Sequence, residues 1–151
     1  MASRFLLLLM QPWFRFRRGM TLGVRAAVFD EAGQVFLVQH SYAPGWLLPG
    51  GGVERGETIY DAVKRELVEE GGLVIDESPV LHGLFSNEAK FRGDHVACFV
   101  IRKFRRQHWT PTLEIKEARF FPVNGLPEGT TGGTRRRIAE IVTGTAPSAQ
   151  W

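Results

Sequence analysis

The stretch Gly51–Leu73, GGVERGETIYDAVKRELVEEGGL, constrains this chain more than any other. It follows Pro49 and Gly50, so three consecutive glycines, Gly50–Gly52, run into it. A helix is predicted over Ile59–Gly71. Thr58 is placed to cap it, and Asp61 three residues on can return the bond to the cap's backbone. Gly71-Gly72 supplies the left-handed residue that commonly ends a helix. On a helix advancing roughly 100° per residue, Glu66 and Glu70 lie one turn apart on one face, with Glu69 to one side. Ile59 and Val63 share that face. A solubilising surface would set its acids opposite the apolar stripe, whereas here they lie on the side that packs inward. Like charges one turn apart cost an isolated helix about 0.2–0.5 kcal/mol, and burial adds to that. Divalent cations would remove the conflict. All-oxygen carboxylate donors favour hard ions, Mg²⁺ first and Mn²⁺ second, and with no histidine or cysteine in the stretch zinc is not expected. The glycines before the helix let the backbone turn tightly, exposing carbonyls to a metal and amides of Gly51 and Gly52 to phosphate.

Around this segment no repeat or low-complexity tract divides the chain. Leu22–Phe29 and Val35–Val38 read as strands joined by the turn-forming Asp30-Glu31-Ala32-Gly33. Trp46-Leu47-Leu48 is a short apolar stretch. Further strands are expected at Val80–Phe85, Val96–Phe104 and Phe120–Val123, and a second helix over Arg135–Val142 burying Ile138, Ile141 and Val142. The nearly all-apolar Val96–Ile101 is what a strand covered on both faces requires. Strands with helices inserted between and after them define a layered α/β domain with a mixed sheet. At 151 residues the chain is long enough for one such domain. The expected organisation is a basic amphipathic helix over 1–18, the main domain over 19–143 and a loose tail over 144–151.

Charge is patterned rather than large: the net value is +3. Arg4, Arg15, Arg17, Arg18 and Arg25 fall in a stretch without acids, and further clusters occur at Arg102–Arg106 and Arg135–Arg137. These are expected to be solvated surface. The apolar run Phe5–Met10 is too short to span a bilayer and lacks a small-residue cleavage site. Leu6, Leu9, Trp13 and Phe16 fall at helical spacing, and that face is expected to pack on its own domain or across a dimer. Membrane-surface docking is the other reading of it. The single cysteine, Cys98, excludes an internal disulfide and suits a reducing, cytoplasmic setting.

The segment resembles the Nudix box: Gly51, five residues, Glu57, seven residues, Arg65-Glu66-Leu67, Val68, Glu69-Glu70, Gly71, Gly72-Leu73. The flanking Trp46-Leu47-Leu48-Pro49-Gly50, Ala118-Arg119-Phe120-Phe121 and Leu126-Pro127 are similar to the surroundings of the box in the Nudix (MutT-like) hydrolases. The resemblance implies an α/β/α sandwich and Mg²⁺-dependent hydrolysis of a phosphoanhydride in a nucleoside diphosphate linked to another group. Glu66, Glu69 and Glu70 would bind the metal, joined by the Gly50 carbonyl. Arg65 and Glu57 would pair and orient the glutamates. Glu66 is one candidate general base, and Glu114 and Glu117 come from a region where some relatives supply an extra acid. Many relatives are homodimers.

The substrate is expected to be a small nucleoside triphosphate or a sugar nucleotide such as ADP-ribose. The proline or tyrosine that marks some subfamilies downstream of the box is absent around Asn87–Lys90, and the polar stretch Ser86–Asp94 is the expected seat of specificity. Two alternatives stand beside this reading. One is an RNA 5′-pyrophosphohydrolase, which the arginine clusters permit, although no RNA-binding aromatic motif makes nucleic acid the expected partner. The other is a non-catalytic nucleotide-binding module. An isomerase on the same fold would want a cysteine before the box, whereas Cys98 lies after it in an apolar strand. Tyr42 is read as covering a sheet edge, and His82, His95 and His108 as structural or exposed.

Overall fold

The computed structural model describes residues 2–151, with side chains from Met10 onward. The elements in order are α1 (Ala2–Arg17), β1 (Thr21–Val28), β2 (Val35–His40), β3 (Trp46–Leu47), α2 (Ile59–Gly71), β4 (Leu73–Val74), β5 (Val80–Ser86), β6 (Asp94–Ile101), β7 (Arg105–Arg106), β8 (Ile115–Phe121) and α3 (Gly132–Thr143). One sheet runs β1-β6-β5, with β1 parallel to β6 and β5 antiparallel to it. A second, antiparallel sheet runs β3-β2-β8, and β4 with β7 forms a small ladder. The mixed pairing and the two flanking helices make an α/β/α sandwich.

Side-chain alternation explains the layering, because successive residues of a strand face opposite ways. Val24, Ala26 and Val28 of β1, Phe36 and Val38 of β2, and Ala97, Phe99 and Ile101 of β6 share one core with Ala62, Val63 and Leu67 of α2. The intervening Ala27, Val35, Leu37 and Cys98 join Trp46, Leu48, Phe85 and Ile138 of α3 in a second core. Strands covered on both faces read as continuous apolar runs, and Val35–Val38 of β2 and Val96–Ile101 of β6 do.

Helix α2 is capped at both ends. Thr58 Oγ1 accepts from Asp61 N at 3.1 Å, and Gly72 turns left-handed at φ 63°. The Asp61 carboxylate accepts from the Thr58 hydroxyl at 2.7 Å rather than from the cap's backbone.

Several sequence expectations are corrected. β8 starts at Ile115, five positions before the apolar Phe120-Phe121 pair, because Ile115–Phe121 pairs with β2 across a bulge at Gln39/His40. β6 ends at Ile101, and Phe104 packs against the first core from outside the strand. Residues 144–151 are not loose: Ser86 N donates to Ala149 O and Trp151 N donates to Ser86 O, both at 2.9 Å. Val142, expected to be buried, is exposed. On α1, Leu6 and Leu9 lie outside the described side chains. Trp13 and Phe16 are 54% and 92% exposed, so those two do not pack on the domain as expected. No helix among the described residues is long and apolar enough to cross a membrane.

The basic residues Arg102, Lys103, Arg105, Arg106, Arg135 and Arg136 are exposed, as a solvated surface requires, while Arg137 departs from that expectation. Arg105 makes a two-pronged pair with Asp76, Lys103 reaches Glu77, and Arg102 and Arg106 lie over the rings of Phe29 and Phe120. Arg137 is fully buried.

Candidate active site

The loop after β3 brings Pro49–Gly52 across β1, where Val24 N donates to Gly51 O at 2.8 Å and Ala26 N to Pro49 O at 2.9 Å. Gly50 sits at φ 145°, and a Cβ there would lie 2.0 Å from Val24 O. Only glycine lets the loop lie this close to the strand. The loop then meets the inward face of α2. Gly50 N donates to Glu70 Oε2 at 2.7 Å, and a Cβ on Gly51 would fall 2.5 Å from Glu66 Oε1.

Arg65 organises the rest of the helix face. Its Nε and Nη2 donate to the two oxygens of Glu57 at 2.8 and 3.0 Å. Nη1 donates to Glu66 Oε1 at 2.8 Å and to Glu69 Oε2 at 3.2 Å, and Nη2 also reaches Gly52 O at 3.0 Å. Glu57 in turn accepts from Glu54 N at 2.9 Å, closing the loop onto the helix start. The predicted residues Gly50, Gly51, Gly52, Glu57, Arg65, Glu66, Glu69 and Glu70 are thus brought into one connected cluster.

The three carboxylates differ in setting. Glu70 is 5% exposed, and burial pushes its carboxyl up to about 7, against the pull of the Gly50 amide. Burial also raises Glu66 above the ordinary value, opposed by its bond from Arg65. Glu69 is half exposed at its side chain. Among the described residues no group of three such side chains is already gathered on one point, because Arg65 draws Glu66 and Glu69 while Glu70 turns to Gly50. The donor set nevertheless fits a hard divalent cation. Glu66 Oε2 and Glu69 Oε1 carry no protein hydrogen bond among the described residues, the missing Cβ of Gly51 leaves room beside Glu66, and burial raises both half-buried Glu66 and buried Glu70.

Two residues here carried no sequence signal as site residues. Arg25 of β1 donates through Nη1 to Leu48 O and Gly50 O at 2.9 and 3.0 Å, holding the glycine loop from below. The Gly50 carbonyl keeps a second lone pair. His40, at the bulged end of β2, is 7% exposed, and neither ring nitrogen has a hydrogen-bond partner among the described residues. Its Nε2 stands 3.5 Å from Glu70 Oε1. Burial, then the charge of Arg25, lowers the His40 pKa, so this contact is a dipolar one from a neutral ring. A bulge re-aims a side chain without leaving a pattern in the sequence.

The two candidate bases separate. Glu114 lines a recess together with Glu66, Glu69 and Glu70. Glu117 pairs with Arg119 on β8 at 2.9 Å instead. A larger cavity of about 550 Å³ adjoins the carboxylates, a size suited to a small-molecule ligand. Arg25, His40, Gly51 and Gly52 form the wall shared with the carboxylate cluster, and Tyr42, Phe91 and Trp151 add aromatic surface. Tyr42, read as covering a sheet edge, is 73% exposed and faces this cavity. Among the histidines, His82 bonds Glu140 at 2.9 Å, His108 is exposed and His95 keeps a buried Nδ1 with no partner among the described residues.

The fold and the box are those of a known family. The NUDIX domain model matches residues 19–140, and the chain belongs to the Nudix hydrolase family. It is 31% identical over 104 residues to an ADP-ribose pyrophosphatase of Methanocaldococcus jannaschii, covering 67% of this chain and 62% of that one. It is 43% identical over 60 residues to an RNA pyrophosphohydrolase of Dinoroseobacter shibae, covering 38% of each. The alignments therefore span less than two thirds of either relative. A MutT Nudix hydrolase structure from Burkholderia pseudomallei superposes with a TM-score of 0.69 at 24% identity, covering 80% of this chain and 97% of that one.

Proposed function

We propose that this protein is a Mg²⁺-dependent pyrophosphohydrolase that cleaves a phosphoanhydride in a nucleoside diphosphate linked to another group. The observation that carries the reading is the meeting of half-buried Glu66 and buried Glu70, both raised, with the glycine loop that hydrogen-bonds Glu70. Glu66, Glu69, Glu70 and the Gly50 carbonyl would hold the metal, with Mn²⁺ as the alternative ion. When bound, such ions neutralise charge on phosphoryl oxygens and make water more acidic. Arg65, locked to Glu57, sets the rotamers of Glu66 and Glu69, as outer partners of metal ligands do. Arg25 keeps the loop against β1, and the Gly51 and Gly52 amides face phosphate. Glu114, which shares the carboxylate recess, is the better placed of the two loop acids to take a proton from water. The catalytic unit is residues 19–143, with α1 appended to it, working in the cytoplasm.

Relatives named ADP-ribose pyrophosphatase and RNA pyrophosphohydrolase make both substrate classes worth assaying. The cavity favours a small molecule, since it is bounded by Trp151 and Phe91. The test is a panel of nucleoside triphosphates, ADP-ribose, other sugar nucleotides and 5′-triphosphorylated RNA, each with Mg²⁺, Mn²⁺ or chelator, alongside Glu70→Gln. We expect metal-dependent turnover of one class and a loss of at least about a hundredfold in the variant, with folding retained. No turnover of any compound by folded protein would overturn the hydrolase reading and leave a nucleotide-binding module.

A further inference from the structure

The run Arg135-Arg136-Arg137 looks like one basic patch, yet its third member has no exposed surface. A buried guanidinium is costly unless its donors are satisfied. Arg137 spends them on two things. Nε and Nη2 donate to Glu140 at 2.8 and 2.7 Å, which supplies the counter-charge. Nη1 and Nη2 also reach out of the helix to Gln150 O at 2.8 Å and Ser148 Oγ at 3.0 Å. Its charged carbon lies 4.0 Å from the Phe85 ring centroid. Arg136 donates to Trp151 O, and Ser148 N donates to Glu140 Oε1 at 3.1 Å. With the two backbone bonds to Ser86, residues 148–151 lie as a parallel extension beside β5.

The residue delivered by this arrangement is Trp151. Its indole lies against Gly133 of α3, where a Cβ would fall 2.4 Å from Nε1, and edge-on to Phe85 at 5.7 Å and 73°. It is only partly buried, and it lines the same cavity as Gly51 and Gly52. A large flat side chain held from behind loses little freedom when a ligand packs on it, and nucleobases stack on such surfaces whatever their sequence of polar groups.

We propose that residues 148–151, clamped by Arg137, form a fixed wall of the substrate cavity and that Trp151 recognises the base of the nucleotide. This rests on the reading of the cavity as a nucleotide site and assigns its specificity to a segment outside the Nudix box. Trp151 touches the substrate, while Arg137 is a positioning residue that acts through the backbone of the segment.

The test compares unmodified protein, Trp151→Ala, Trp151→Phe and Arg137→Met. Steady-state kinetics on the nucleotide that the protein turns over are run beside inorganic tripolyphosphate, which has no base. Binding of non-hydrolysable α,β-methylene ATP and GTP is measured by calorimetry in the Glu70→Gln background. Trp151→Ala is expected to raise KM and Kd for base-containing compounds roughly tenfold or more. It should leave kcat within about threefold and tripolyphosphate unaffected, with Trp151→Phe close to the unmodified protein. Arg137→Met should reproduce the KM rise if it folds. If it does not, the two Trp151 variants decide alone. Constants within twofold of the protein with an intact Trp151, or equal losses with tripolyphosphate, would overturn the proposal, as would failure of the Glu70→Gln protein with an intact Trp151 to bind either analogue. Tight binding without turnover would instead sink only the hydrolase reading.

Discussion

Two adjacent glycines of the loop are required for different reasons, and substitution separates them. A Cβ at Gly50 would strike the backbone of Val24 at 2.0 Å while holding φ at 145°, so neither the loop nor the strand can yield cheaply. Gly50→Ala is expected to lose about 3 kcal/mol or more of stability, read by chemical denaturation. The nearest atoms to a Cβ at Gly51 belong to the Glu66 carboxylate, at 2.5 Å, which can swing away. Gly51→Ala should keep the melting temperature close to that of the unmodified protein and lose roughly tenfold or more in turnover at limiting Mg²⁺. Equal stability losses in the two variants would contradict this division. The contrast was half legible in the sequence. The triple glycine announced a tight approach, but which glycine faced a strand and which faced a carboxylate depended on where β1 and α2 came to rest. His40 and Arg25 were not legible as site residues at all, since neither belongs to a periodic pattern that points at Glu70.

At the scale of elements, α2 and α3 show how far local rules reach. The α2 boundaries follow from Thr58 and Gly72, both visible in the sequence, and the helix spans the expected Ile59–Gly71. For α3 the local reading missed the main event, which is the capture of residues 148–151 through Arg137 and Glu140. Burial would raise the Glu140 carboxyl, but bonds from His82, the Ser148 amide and Arg137 outweigh it and hold the pKa below its ordinary 4.5. A group with a lowered folded pKa stabilises above its unfolded value and loses that contribution as pH falls through the folded one. The clamp should therefore be intact at neutral pH and weaken below about pH 4.5. Urea denaturation between pH 6 and pH 3.5 is the check, with Glu140→Gln expected to show a lower stability at pH 6 and a shallower decline. A decline as steep in the variant would remove Glu140 as its cause. Edge strand β8 was misplaced for a related reason: Ile115-Lys116-Glu117 is polar enough to read as loop, and only pairing with β2 makes it a strand.

For the molecule as a whole, two cores back to back dominate, and Cys98 reports on them. It sits at the middle of β6 with no exposed surface, and burial pushes its thiol up to about 12. An uncharged, inaccessible thiol is unreactive. Maleimide labelling of the native protein should be negligible over hours at pH 7.5 and complete once it is denatured. Rapid native labelling would show that the second core opens locally.

The glutamate cluster, its helix, the glycine loop and the layered α/β class were determined by the sequence itself, because each rests on spacing within one short segment and on the period of a single element. Tertiary structure alone decided the rest. It set which strand faces the glycine loop, how a bulge aims His40 at Glu70, why one arginine of three is buried, and how Trp151 reaches the cavity. Those outcomes join residues far apart in the chain, such as Arg25 with Gly50 and Ser86 with Trp151. Such contacts form only once burial of both cores repays the entropy of bringing the segments together.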